Sequence, residues 1–423
     1  MNPRLLPMAI TQLVPEVVCP NCWERFPPER ILYVATDPSL FGDRRLGSTH
    51  AQRFLPSRFH PDGRAIDPRG GLCHETACPR CHLEVPRALI ESPTLFASVF
   101  GSPSSGKSYL LAAMTHELRR ILPRSFALNF SDADPRANAA LHVYENTLFG
   151  ETMGDGWVHL PKTDVSGDRY RSVDVGGMTL AYPQPHFFQV SPVSGHPSAD
   201  DPVAVSRTLC LYDNAGESFE PGSDSPANPV TQHLARSGFL FYVFDPLQET
   251  SFRRALGETA ASSDAQLERG VVYRQDVMLA EVARRIRQYH GLPAAARHRC
   301  PLVVVVTKFD AWQSLAGGQR LAEPWGDAPE GGPARLRVSR MNEVSALVRS
   351  LLLQHAPTIV TTAESFVEPK LIRYVPVSAT GGPPTPGPDG RLRFQAGRLA
   401  PMWVEVPLLW SLAAAVPGLV TTA

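Results

Sequence analysis

The apolar run Leu95-Phe-Ala-Ser-Val-Phe100 leads straight into Gly101-Ser-Pro-Ser-Ser-Gly106-Lys107-Ser108, after which apolar residues recur at Leu110, Leu111, Met114, Leu118 and Ile121. A buried strand, a glycine-rich turn and an amphipathic helix in immediate succession leave few folds open. The glycines permit a tight turn whose backbone N–H groups surround an anion at the helix N-terminus. Lys107 supplies a cation to terminal phosphates, and the Ser108 hydroxyl is a ligand for Mg²⁺. Gly101, Ser104, Ser105, Gly106, Lys107, Ser108 and Tyr109 form the candidate phosphate-binding stretch. A plain Gly/Ser loop could match the pattern by accident, but it would need neither the strand before nor the helix after.

Three further motifs follow in chain order, each ending an apolar run. Asp213-Asn-Ala-Gly216 follows Thr208–Tyr212; Asp213 would hold Mg²⁺ and the Gly216 N–H would meet a γ-phosphate. Alone, this spacing also suits an ordinary turn. Thr307-Lys308-Phe309-Asp310 follows Leu302–Val306, an apolar, mostly β-branched run suited to a strand covered on both faces. One carboxylate at Asp310 can accept both N1–H and the exocyclic amine of guanine, whereas adenine offers it an acceptor. The Lys308 stem would lie along the base plane. A strand-end turn with a surface Lys–Asp pair is the bland alternative. Ser378-Ala379-Thr380 follows Leu371–Val377, where a backbone amide could meet guanine O6; Pro376 argues for an edge strand there. Among 41 basic residues only Lys107, Lys162, Lys308 and Lys370 are lysines, and two of the four fall within these motifs.

These residues make the stretch from about residue 93 to the C-terminus resemble the translation-factor class of P-loop GTPases. The resemblance implies a mostly parallel, doubly wound α/β sheet, with GTP or GDP and Mg²⁺ bound at the C-terminal strand ends. It also implies roles in γ-phosphate chemistry for Lys107, Gly216, Glu217 and a switch threonine. Thr163 and Thr147 are both open for the last role, Thr163 being preferred for its Pro-flanked loop. Glu217 departs from the water-orienting glutamine of Ras-like enzymes. A carboxylate there would repel the γ-phosphate, so slow hydrolysis is expected. The long interval from Gly106 to Asp213 implies an insertion, with Ser125–Phe130 as an added strand.

Two Cys-x-x-Cys pairs, Cys19/Cys22 and Cys78/Cys81, stand before this region. Four thiolates can surround one Zn²⁺ and give a small domain its folding energy. Their separation exceeds that of an ordinary zinc ribbon, so Phe26 to about Gly71 must be a loop or an insertion. Cys73, His74 and His82 are alternative ligands. Residues 1–92 thus form a zinc-ribbon-like domain and 93–423 a P-loop GTPase domain. The pairing of ribbon and GTPase is similar to bacterial double-GTPase families of signalling and conflict systems.

Acidic and basic residues balance at 41 each, and no basic run interleaves with aromatics. Nucleic acid is therefore a poor partner, and protein partners are expected. Arg284-Arg285 reads as a solvated helix face. No segment suits a membrane span, and the start lacks a signal-like apolar core, so a cytoplasmic protein with reduced cysteines is expected. The leading function is a guanine-nucleotide switch. A nucleotide-binding scaffold without turnover, or a zinc-ribbon ATPase acting on nucleic acid, are the alternatives.

Overall fold

The structure, a computed structural model, describes residues 13–150, 156–160, 170–175, 178–213, 232–257, 274–326, 331–387 and 392–423. Its centre is a seven-stranded sheet: β1 (Thr94–Gly101), β2 (Leu128–Asp132), β3 (His186–Pro192), β4 (Arg207–Asp213), β5 (Phe239–Phe244), β6 (Leu302–Val306) and β7 (Ile372–Pro376). Their spatial order is β2-β3-β4-β1-β5-β6-β7. Strands β4, β1, β5, β6 and β7 are mutually parallel, and β3 runs antiparallel to both of its neighbours. The central strands β5 and β6 are buried at every residue, as continuous aromatic and β-branched runs require when both faces are covered. Pro376 lies in edge strand β7, where a missing N–H is tolerated. The added strand in the insertion is β2, displaced a few residues from its expected position.

Among the described residues, six longer helices surround the sheet: α1 (Lys107–Ser125), α2 (Ala139–Phe149), α3 (Gln275–His290), α4 (Val338–His355), α5 (Pro357–Phe366) and α6 (Val406–Ala415). Leu110, Leu111, Met114, Leu118 and Leu122 bury one stripe of α1. Helix α3 stops at Gly291, whose left-handed backbone accommodates the helix end. Arg285 on α3 corrects the expectation of a solvated Arg284-Arg285 face. It is 1% exposed, and its Nε donates to Glu281 Oε1 one turn back, so a charged partner allows the guanidinium to be buried.

Strand alternation sorts β1, β3 and β4 into two faces. Ala97, Val99, Phe188, Leu209 and Leu211 join the core beneath α1. Phe96, Phe187, Cys210 and Tyr212 join a second core with Val17, Cys19, Phe26, Cys73, Cys78 and Leu89. The cysteine-bearing segment therefore covers one side of the sheet where a doubly wound fold would carry a helix. Cys210 and Cys300 are buried, as expected of core thiols, and burial pushes the Cys300 thiol up to about 12. Among the described residues no helix is long and apolar enough to cross a membrane.

Candidate nucleotide site and metal centre

Beyond β1 the chain turns through Ser102–Gly106 and enters α1 at Lys107. Gly101 cannot carry a side chain, because a Cβ would lie 2.3 Å from the Val243 carbonyl of β5. Ser104 and Gly106 both adopt left-handed backbone, φ 64° and 93°. Lys107 Nζ donates to the carbonyls of Gly101 (2.8 Å) and Ser102 (2.9 Å), holding the ammonium over the turn. Ser105 Oγ is buried with no hydrogen-bond partner among the described residues. Ser108 stands in the first turn of α1, and the Tyr109 hydroxyl accepts from the Leu160 N–H.

Asp213 closes β4, paired with Val99 of the adjacent β1 and buried. Gly216, Glu217 and Thr163 lie outside the described residues. Thr307 Oγ1 donates to the Ser105 carbonyl at 3.0 Å, tying the end of β6 to the phosphate-loop candidate. Lys308 takes left-handed backbone, φ 56°. Ser378 Oγ donates to Asp310 Oδ1 and in turn accepts from the Gly381 N–H at 2.8 Å. The Ser378–Thr380 turn is held from behind: Ser378 and Met402 exchange backbone bonds, and the Ala400 N–H donates to the Thr380 carbonyl. Ala379 packs against the main core. Burial raises the Asp310 carboxyl above its ordinary value, while the Ser378 bond and the Lys308 ammonium pull it back. The structure thus brings Thr307, Asp310, Ser378 and the Gly101–Lys107 turn together at the C-terminal ends of β1, β6 and β7.

Sequence reasoning missed the buried polar groups beneath this site. Asp245, directly after β5, accepts from Lys308 Nζ at 2.8 Å. Gln248 and Gln275 bridge Asp245 and Ser102. One signal was available: Asp213, Asp245 and Asp310 each stand at or just beyond the C-terminal end of a core strand, where open α/β sheets bind ligands.

Across the sheet, the two Cys-x-x-Cys turns are built alike. Trp23 N–H donates to the Cys19 carbonyl and His82 N–H to the Cys78 carbonyl; both residues have left-handed backbone. Asn21 and Arg80 N–H groups each reach the first sulfur of their turn at 3.4 Å. Sulfurs bound at about 2.3 Å from one tetrahedral Zn²⁺ stand about 3.8 Å apart. Here Cys19–Cys81 measures 3.8 Å and Cys22–Cys78 3.6 Å, and all four sulfurs lie within 4.8 Å of one another. The donor set fits zinc. The alternative ligands are engaged elsewhere: Cys73 lies against Asp67 and Thr36, His74 near Arg64, and His82 Nδ1 on Asp43 at 2.9 Å.

No protein-family profile matches the chain. It is 26% identical over 351 residues to SaeC of Mycolicibacterium smegmatis, named for ESX-1 scaffolding and assembly; the match covers 79% of this chain and 78% of SaeC. Among solved structures, the Ski7 GTPase-like domain of S. cerevisiae bound to GTP matches 68% of the chain at 13% identity and TM-score 0.24. Sup35 complexed with GDP matches 74% at 12% identity and TM-score 0.22. The chain spans less than half the length of either structure's chain, 43% and 44%. Scores this low fall short of a common fold.

Proposed function

We propose that this protein binds Mg-GTP and hydrolyses it slowly, acting as a guanine-nucleotide switch on protein partners. The observation that carries this reading is the convergence of three distant segments: Thr307 bonds the Ser105 carbonyl, and Ser378 bonds Asp310. The backbone N–H groups around Gly106 and the Lys107 ammonium would hold β- and γ-phosphates. Ser108 and Asp213 would hold Mg²⁺, which supplies charge neutralisation at the phosphates. Asp310 would accept the two guanine donors, with Lys308 lying along the base and the Ser378–Thr380 turn at O6. Gly216, Glu217 and Thr163 are proposed for γ-phosphate sensing and water positioning. The four cysteines would hold a structural Zn²⁺ that fastens the N-terminal segment to the sheet. A place among the ribbon-bearing bacterial double-GTPase families, in a cytoplasmic signalling or conflict system, is part of the same proposal.

Asp310 gives the test. Guanine's two donors need both carboxylate oxygens as acceptors, and protonation turns one into a donor, so GDP affinity should fall as pH drops below the raised value of this group, at most about tenfold per pH unit. Folding responds with the opposite sign. A carboxyl raised in the folded state contributes stability below the ordinary aspartate range, and this contribution is lost as pH rises through the raised value. Asp310→Asn should weaken GDP while leaving ADP unchanged, and should remove that pH-dependent component. Titration of both proteins by calorimetry across pH 4–7 reads this directly; parallel pH profiles would refute guanine recognition by Asp310.

A further inference from the structure

Lys308 does not rest on solvent. Its Nζ meets Asp245 Oδ2 at 2.8 Å, and the Asp245 side chain is 1% exposed while that of Lys308 is 28% exposed. A buried carboxylate is costly without compensation, and this one is densely compensated. Asp245 Oδ1 accepts from the Leu247 N–H at 3.0 Å, and Oδ2 also accepts from Gln248 Nε2 at 3.2 Å. Its backbone is clamped as well: Gln275 Oε1 accepts from the Asp245 N–H at 2.9 Å, and Gln275 Nε2 donates to the Asp245 carbonyl at 2.8 Å.

The same two amides reach the phosphate-loop candidate. Ser102 Oγ lies 3.1 Å from Gln248 Oε1 and 3.2 Å from Gln275 Oε1, and Gln248 Nε2 lies 3.3 Å from the Pro103 carbonyl. Ser102 also offers the carbonyl that takes Lys107 Nζ. A continuous path of buried and half-buried polar groups thus runs from Lys107 through Ser102, Gln248 or Gln275 and Asp245 to Lys308. One end would serve phosphate and the other the base.

We propose that Asp245 is a positioning residue for the purine pocket: it anchors the Lys308 ammonium so that the aliphatic stem is presented to the base. This rests on the guanine-nucleotide reading above. Lysine is a flexible point charge, and an unanchored ammonium beside a bound triphosphate would be drawn to the phosphates or to Asp310, removing the stem from the base. In this assignment Asp245 acts on the base through Lys308 and makes no contact of its own with the nucleotide.

A double-substitution cycle tests this. Asp245→Asn keeps the shape and the acceptor for Leu247 but removes the charge, and Lys308→Met keeps the stem but removes the ammonium. GDP affinity is measured by calorimetry for the full chain, with melting temperature and zinc content confirming that each variant is folded. Asp245→Asn should weaken GDP about 10–100-fold when Lys308 is present. In the Lys308→Met background the same change should cost less than about threefold. Equal losses in both backgrounds would overturn the assignment, because Asp245 would then act on the fold and not on the ammonium. If Asp245→Asn does not fold, Asp245→Glu replaces it. That variant keeps the charge but displaces the anchor by one methylene, so GDP affinity should drop severalfold, and unchanged affinity would overturn the proposal. A parent protein that binds no guanine nucleotide would refute the proposed function and this assignment together; parental binding without coupling refutes the assignment alone.

Discussion

Lys107→Ala is expected to abolish useful triphosphate binding, weakening GTP by about 10²–10⁴-fold. The ammonium is held over the turn by the Gly101 and Ser102 carbonyls, so it is already in place for the β- and γ-phosphates. Two charge-assisted bonds at about 1.5–3 kcal/mol each would be forfeited. Alanine is the best helix former, and Lys107 is the first residue of α1, so folding should survive the change. Calorimetry with Mg-GTP and single-turnover hydrolysis check the prediction. The parent should turn over slowly and the variant not at all. Unchanged GTP affinity in the variant would remove Lys107 from the site, and a parent that binds without turnover above the water background would be a scaffold.

Cys22→Ser should release the metal and disturb more than the N-terminal segment. Metal binding supplies about 10–16 kcal/mol in isolated zinc-finger peptides, and this segment has short strands and a modest core of its own. Its contacts with the sheet are specific. Tyr212 donates its hydroxyl to the carbonyl of Pro20, inside the first cysteine turn. Trp23, next to Cys22, packs edge-on against Phe96 at 5.2 Å and lies 5.7 Å from Tyr212. Tyr212 in turn stacks on the buried His233 at 4.5 Å. Loss of the turn would leave a buried tyrosine hydroxyl without its acceptor and strip an aromatic cover from β1 and β4. Hydrogen exchange should therefore show lost protection in residues 13–92 and reduced protection in 94–101 and 207–213, with zinc content near zero. Full zinc content, or metal loss with unchanged protection of β1 and β4, would contradict this.

The elements were legible wherever one local rule dominated. Continuous apolar runs gave β1 and β6, and the helical apolar spacing after Ser108 gave the buried stripe of α1. The cysteine pairs were readable despite the long segment between them, because each pair is a local turn and its separation matters little once metal geometry joins them. What lies between elements was not readable. Phe96 and Tyr212 look like ordinary strand residues, and only the register of β1 and β4 turns both toward the cysteine turns. Arg285 looked solvated because its burial depends on Glu281 and on what covers α3. Asp245 was passed over because a lone aspartate after a strand has no motif; its meaning comes from Lys308, 63 positions later in the sequence.

The central claim is that the Lys107 turn and Asp310 hold opposite ends of one guanine nucleotide. Direct calorimetric comparison of Mg-GTP and Mg-ATP binding to the purified full chain tests it most directly. GTP should bind at least about a hundredfold more tightly, because adenine brings no donor to the half-buried Asp310 carboxylate. Equal affinity for the two nucleotides, or none for either, would contradict the claim.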